Sequence, residues 1–205
     1  MVKKISIGVI GIQGAVSEHI TVMEKTLQET NTPGEVFVIK DKDQMKKVNA
    51  LILPGGESTT ISRELYKTGI NDVIYDRIKN DSLPVMGTCA GCVLLASELT
   101  DNTKDVKLLS AMNMKVKRNA FGRQRESFEK IIDVEGFSKP YNAVFIRAPV
   151  IEKVWGNCKI LGKIENKIVM ARQNNLLALS FHPELTDDIR IHEYFLDAIL
   201  SFHYS

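Results

Sequence analysis

The chain has 205 residues, 44% of them hydrophobic, with 27 Lys and Arg against 25 Asp and Glu. That is enough chain to bury one well-packed core, and so close a charge balance sets up no global field for nucleic acid or a membrane surface. Three cysteines, Cys89, Cys92 and Cys158, are too few and odd in number for a disulfide framework, and no apolar run approaches the roughly 20 residues that span a bilayer.

The opening Met-Val-Lys-Lys-Ile-Ser-Ile carries no signal-peptide pattern, so a cytoplasmic protein is expected. Residues 4–10 alternate and then run apolar, as a buried strand does. Gly8, Gly11 and Gly14 follow at spacings of three and three, which is not the dinucleotide fingerprint but suits a tight strand-to-helix turn. Residues 15–29 predict a helix with Val16, Ile20, Met23 and Leu27 on one face, broken by Asn31-Thr-Pro-Gly34. Residues 35–40 and 50–53 predict further strands, with a short solvated helix in the charged stretch 41–47 between them. Pro54-Gly55-Gly56-Glu57-Ser58-Thr59-Thr60 then opens a helical pattern that runs to Lys79. Paired glycines at the end of a strand suit close backbone approach to a ligand. No Lys stands before the Ser/Thr pair at P-loop spacing.

The next segment, 83–95, organises the chain. A short apolar run behind a proline predicts a strand, and residues 92–98 predict a helix. Between them lies Gly87-Thr88-Cys89-Ala90-Gly91, the cysteine form of a nucleophile elbow. Small flanking residues permit the sharp turn, which lifts Cys89 above the sheet at a helix N-terminus. There unpaired amides favour thiolate over thiol. Cys89 and Cys92 also form a C-x-x-C, but the elbow register points to one working thiol beside a packing neighbour. Strand-like runs at 108–118, 130–134, 143–146, 159–164, 168–171 and 176–181 are separated by turns rather than helices, so hairpins and an antiparallel part of the sheet are expected. Residues 187–202 close the chain as an amphipathic helix. Four strands alternating with helices before residue 100 predict an α/β fold, its mostly parallel sheet covered on both faces. With no linker or repeat, residues 1–205 read as one domain.

A thiolate attacking an amide needs an imidazole and a group to orient it. His19, His192 and His203 lie in helical pattern, where solvated or packed roles are expected. His182 directly follows the strand at 176–181, and chemistry in α/β sheets gathers beyond the C-terminal strand ends. Glu184 is two residues on; in extended chain the two side chains point the same way, so Glu184 can hold the His182 ring toward Cys89. Zinc on Cys89, His182 and Glu184 is the weaker reading, with three ligands and no second cluster. The basic stretch 115–125 has one aromatic, Phe121, and reads as a solvated face or a carboxylate clamp rather than an RNA-stacking platform.

Gly-Thr-Cys-Ala-Gly with a late His-x-Glu resembles the class I (triad) glutamine amidotransferases. Five further stretches narrow the resemblance: Gly11-Ile-Gln-Gly-Ala-Val-Ser-Glu-His19, Leu53-Pro-Gly-Gly-Glu-Ser-Thr-Thr60, Arg118-Asn-Ala-Phe-Gly-Arg-Gln124, Val144-Phe-Ile-Arg-Ala-Pro149 and Phe181-His-Pro-Glu-Leu-Thr186. Together they are similar to the glutaminase subunits of pyridoxal 5'-phosphate synthase. The resemblance implies a flavodoxin-like three-layer fold and hydrolysis of L-glutamine by a Cys89, His182, Glu184 triad. It implies no cofactor and an oxyanion hole made by the amides of Ala90 and Gly56. The glutamine pocket it implies is formed by Arg118 and Arg147 at the α-carboxylate, Glu57 at the α-ammonium, Ser58 and the Ile146 backbone. It also implies a partner, a synthase subunit that receives the ammonia, in a hetero-oligomer of glutaminase subunits around a synthase ring. In such families the glutaminase tends to be poorly active alone, and a peptide flip at Gly55-Gly56 is the expected device. Rival readings are a glutaminase serving another biosynthetic synthase, a non-catalytic subunit on the same fold, and a cysteine peptidase.

Overall fold

The computed structural model describes residues 4–81, 83–101, 105–121 and 127–203. The first half runs β1 (Ile5–Ile10), α1 (Val16–Glu29), β2 (Gly34–Ile39), α2 (Lys42–Met45), β3 (Ala50–Leu53), α3 (Ser58–Thr68), α4 (Ile70–Asp81), β4 (Val85–Thr88) and α5 (Ala90–Leu95). The second half runs β5 (Ala96–Leu99), β6 (Met112–Lys117), β7 (Ser127–Ile132), β8 (Tyr141–Ile146), β9 (Val150–Val154), β10 (Lys159–Ile164), β11 (Lys167–Gln173), β12 (Leu176–Leu179), a 3₁₀ turn (Pro183–Leu185) and α6 (Arg190–His203).

The main sheet is ordered β2-β1-β3-β4-β12-β11-β9-β6-β5, with β10 also paired to β11. Strands β2, β1, β3, β4 and β12 are mutually parallel. From β12 through β11 and β9 to β6 the pairing is antiparallel, the edge strand β5 runs parallel to β6, and β7 and β8 form a separate hairpin. The central strands are buried on both faces with a period of two. Leu51 and Leu53 of β3 join one core, shared with α2, α3, α4 and α5, while Ala50 and Ile52 join the other, shared with α1, α6 and the hairpin. This is the three-layer α/β/α architecture, with a mostly parallel centre and an antiparallel extension. Among the described residues no helix is long and apolar enough to cross a membrane.

Local chemistry explains most element ends. Asp41 caps α2 by accepting from the amides of Asp43 and Gln44 at 2.9 and 2.8 Å. The helical pattern expected to run unbroken to Lys79 divides at Gly69, whose φ of 70° makes a left-handed cap between α3 and α4. The helix expected over 92–98 stops at Leu95, because Ala96 turns extended and Ala96–Leu99 pairs with β6 as a strand. Strand β9 was not expected from the sequence: Val-Ile-Glu-Lys-Val is short and charged at one end, and its pairing with β6 makes it a strand.

An aromatic cluster fixes the hairpin over the sheet. Phe128 stacks on Phe145 at 4.8 Å, and Phe145 meets Phe181 edge-on at 5.6 Å. Such pairs contribute about 0.5–1.5 kcal/mol each beyond burial. The His182 amide donates to Val144 O at 2.8 Å, so the ends of β8 and β12 arrive together.

Candidate active site

The elbow is held by close backbone packing. A Cβ on Gly91 would lie 2.1 Å from Leu53 O, and one on Gly87 would lie 2.6 Å from Gly91 O. Any side chain at either place would push α5 off the strands. Cys89 sits between them at φ 49°, ψ −101°, a conformation that costs a non-glycine residue on the order of 1–3 kcal/mol. The Cys89 amide donates to Leu179 O at 2.8 Å, which ties the elbow to β12, and its Sγ faces Ile146 O at 3.8 Å. The nucleophile-elbow reading therefore has its strained geometry, with Cys89 buried at the N-terminus of α5.

His182 and Glu184 meet as expected, but not in extended chain. Pro183–Leu185 forms a 3₁₀ turn, and this curls Glu184 Oε1 back to 2.7 Å from His182 Nδ1. With Nδ1 committed to the carboxylate, Nε2 is the ring nitrogen left for the thiol. Burial disfavours the charged ring. Hydrogen bonds to the Cys89 side chain and Glu184, with their charges, outweigh that and hold His182 up at about 10. Gly55 closes the other side: a Cβ there would lie 2.4 Å from His182 Cε1 and 3.3 Å from Cys89 Cβ.

These groups open into a cavity of about 540 Å³. Its walls include Cys89, Ala90 and His182, together with Gly56, Glu57, Ser58, Arg118, Ile146 and Arg147, so every residue expected at the glutamine pocket lines one space. Glu184 stands behind His182, fully buried. Gly56 has φ 137°, open to glycine. The Glu57 amide donates to Gln13 Oε1 at 3.0 Å, while Glu57 itself is solvent-exposed. Arg118 is steered by Asp101, whose Oδ2 accepts from Nε at 2.7 Å, and its Nη1 reaches Ser58 Oγ at 3.4 Å. Arg147 takes a left-handed φ of 43° at the end of β8. Of the basic stretch, residues 122–126 lie outside the described residues.

Sequence reasoning assigned no role to Gln13, Asn119 or Leu185, which also line the cavity. Gln13 and Asn119 fall inside motif stretches and Leu185 beside Glu184, so position was the available signal. Two histidines expected in solvated or packed roles, His19 and His192, are fully buried, and His19 Nε2 lies 3.3 Å from Glu184 Oε2. The side chain of His203 lies outside the described residues. Cys92 is enclosed in the core and burial pushes its thiol well up, which suits packing rather than redox exchange. Among the described residues no three His, Cys, Asp or Glu side chains are grouped to hold a metal ion.

Fold and site together define a three-layer α/β protein with a cysteine nucleophile elbow. The model of the SNO glutamine amidotransferase family matches residues 9–201, and the chain belongs to that family. It is 46% identical over 195 residues to the pyridoxal 5'-phosphate synthase subunit PdxT of Pyrococcus horikoshii, covering 95% of this chain and 99% of the relative. It is 48% identical over 203 residues to the protein of the same name from Staphylothermus marinus, covering 95% and 98%. Among solved structures, a glutamine amidotransferase superposes with a TM-score of 0.84 at 39% identity, covering 94% of this chain and 98% of the other. A glutamine amidotransferase of Thermotoga maritima shares the fold with a TM-score of 0.66 at 12% identity, covering 99% and 100%.

Proposed function

We propose that the chain is the glutaminase subunit of a pyridoxal 5'-phosphate synthase, hydrolysing L-glutamine to L-glutamate and ammonia at Cys89. The carrying observation is a strained elbow cysteine sharing a cavity with an imidazole that a buried carboxylate holds at 2.7 Å. Near full-length similarity to the PdxT subunits supports the synthase assignment.

Cys89 Sγ attacks the side-chain amide carbon of glutamine, and the carbonyl electrons move to oxygen. The amides of Ala90, at the start of α5, and Gly56, in the glycine loop, receive that oxyanion; losing one such donor typically costs about 100- to 1,000-fold in rate. His182 Nε2 hands its proton to the departing nitrogen, which leaves as ammonia with a thioester behind. His182 then takes a proton from water, whose oxygen adds to the thioester carbon, and expulsion of the sulfur releases glutamate. Glu184 keeps the ring in the tautomer this requires. The guanidiniums of Arg118 and Arg147 take the α-carboxylate, and Glu57 takes the α-ammonium, with Ser58 and the Ile146 backbone completing the pocket.

The ammonia passes to a separate synthase subunit in a hetero-oligomer, with glutaminase subunits around a synthase ring. Residues 1–205 act as one domain, and three free buried thiols suit a reducing cytoplasmic setting. A flip of the Gly55-Gly56 peptide couples activity to that partner: Gly56 is exposed at φ 137°, while Gly55 packs against His182.

In Cys89→Ala, assayed with the synthase subunit, ammonia release from glutamine falls to background while the circular dichroism spectrum and synthase binding stay as in the native chain. Retained hydrolysis would overturn the mechanism. Equal stimulation by an unrelated ammonia-using synthase would overturn the partner.

A further inference from the structure

Behind the cavity, on the far side of Glu184, lies a group that the mechanism above does not use. His19, on α1, is fully buried, and its Nε2 stands between two oxygens: Thr88 Oγ1 at 3.1 Å and Glu184 Oε2 at 3.3 Å. Thr88 immediately precedes the nucleophile at the end of β4. His19 therefore touches the strand that carries Cys89 and the carboxylate that orients His182. Glu184 Oε1 is occupied by His182. Glu184 Oε2 is buried and makes no formal hydrogen bond to any described residue, the Nε2–H being aimed at Thr88. A carboxylate oxygen enclosed without a donor is costly, on the order of 1–3 kcal/mol or more for a charged group.

The protonation state of His19 follows from its surroundings. Burial disfavours its charged form most strongly; Glu184 favours it, the charge of His182 opposes it, and Glu18 weakly favours it. The balance lies below the ordinary histidine range, so the ring is neutral and carries one N–H. Nδ1 has no partner among the described residues, whereas Nε2 faces two acceptors. The N–H is assigned to Nε2: with it on Nδ1 the Thr88 hydroxyl could still donate to Nε2, but the buried Nδ1–H and Glu184 Oε2 would both stay unmatched.

We infer that His19 is a positioning residue of the glutaminase reaction: its Nε2–H, bonded to Thr88 Oγ1 and set 3.3 Å from Glu184 Oε2, fixes by electrostatic attraction the carboxylate plane from which Glu184 orients His182. This rests on the triad reading given above. It assigns α1 a part in catalysis although no atom of His19 lines the cavity. Removing the orienting carboxylate of a triad costs about 10⁴-fold, so removing that carboxylate's own support costs less, about 10- to 100-fold.

The test uses the full chain with the synthase subunit present. In His19→Leu, kcat for glutamine hydrolysis falls about 10- to 100-fold while KM stays within about twofold, because the substrate pocket is untouched. The downfield proton resonance of His182 Nδ1–H, which reports its bond to Glu184, shifts upfield or broadens away. His19→Gln, whose amide nitrogen stands about where Nε2 does, restores most of both. Should His19→Leu fail to fold, His19→Asn replaces it, since its shorter amide cannot reach Glu184 and the same losses are expected. A native kcat in a folded Leu or Asn variant, or a Gln variant no better than Leu, would overturn the inference. A native chain that releases no ammonia from glutamine would instead sink the functional reading, and the His182 resonance would still decide whether His19 holds Glu184.

Discussion

His182 and His192 are both buried imidazoles, and their environments drive them in opposite directions. His192 has no hydrogen-bond partner at either nitrogen among the described residues, and burial, aided by the nearby His19, lowers it to about 3. His182 is also penalised by burial, yet its hydrogen bonds to Cys89 and Glu184 raise it to about 10. Enclosure alone makes a histidine neutral and inert. Enclosure beside a carboxylate and a cysteine lets the ring hold a proton and later release it. His19 falls between them, neutral yet still in contact with Glu184.

The largest effect is expected from removing the charge that separates the two environments. Glu184→Gln retains an oxygen for His182 Nδ1 but loses the anion and introduces an amide that favours the wrong tautomer. Steady-state glutaminase assays are expected to show a loss on the order of 10⁴-fold in kcat, and a loss under tenfold would mean that burial, not Glu184, governs His182.

The second effect concerns alkaline pH. A folded value raised above the ordinary 6.5 makes a stability contribution that is complete below pH 6.5 and is lost as pH rises through about 10. Denaturant unfolding of the native chain is expected to weaken across that window, and Glu184→Gln to weaken less. Identical slopes would break the contrast.

The smallest effect belongs to His192. Its lowered value gives the reverse sign: stability is present above pH 6.5 and is lost as pH falls toward 3. Between pH 6.5 and 4.5 this amounts to about 2–3 kcal/mol. His192→Leu is expected to flatten that acid slope in denaturant titrations. At pH 7 it is expected to leave stability unchanged or raise it by about 1 kcal/mol, since it removes two unpartnered nitrogens. A steeper acid slope in the variant would show that His192 is not held neutral.

Some of this was open to a reader of the sequence. Glycines at 87 and 91 around Cys89 announced the elbow, because only a residue without Cβ tolerates backbone at 2.1–2.6 Å. Short continuous apolar runs, such as Ala50–Leu53, marked the strands buried on both faces. What misled was local continuity. Ala96-Ser97-Glu98 extended a helical pattern but became a strand on pairing with β6, and the 176–181 strand stopped at Leu179, so Glu184 reached His182 through a 3₁₀ turn. His19 closed one of the stretches that carry the family resemblance, but its role was not legible, since a histidine in an amphipathic helix looks the same whether it meets water or a carboxylate.

By itself, the sequence determined the α/β alternation, the elbow that carries Cys89 and the chemical types around it, because these depend on spacing of a few residues and on the steric exemption of glycine. Tertiary structure alone decided which side chains share the cavity and which ring has a carboxylate against it. It brings Arg118, Arg147 and Gly56 to one wall from distant strand ends, and places His19 against Glu184 across 165 positions of chain. A pKa and a hydrogen-bond partner are properties of an enclosure, and an enclosure exists only once the sheet, its two helical layers and the hairpin have closed over it.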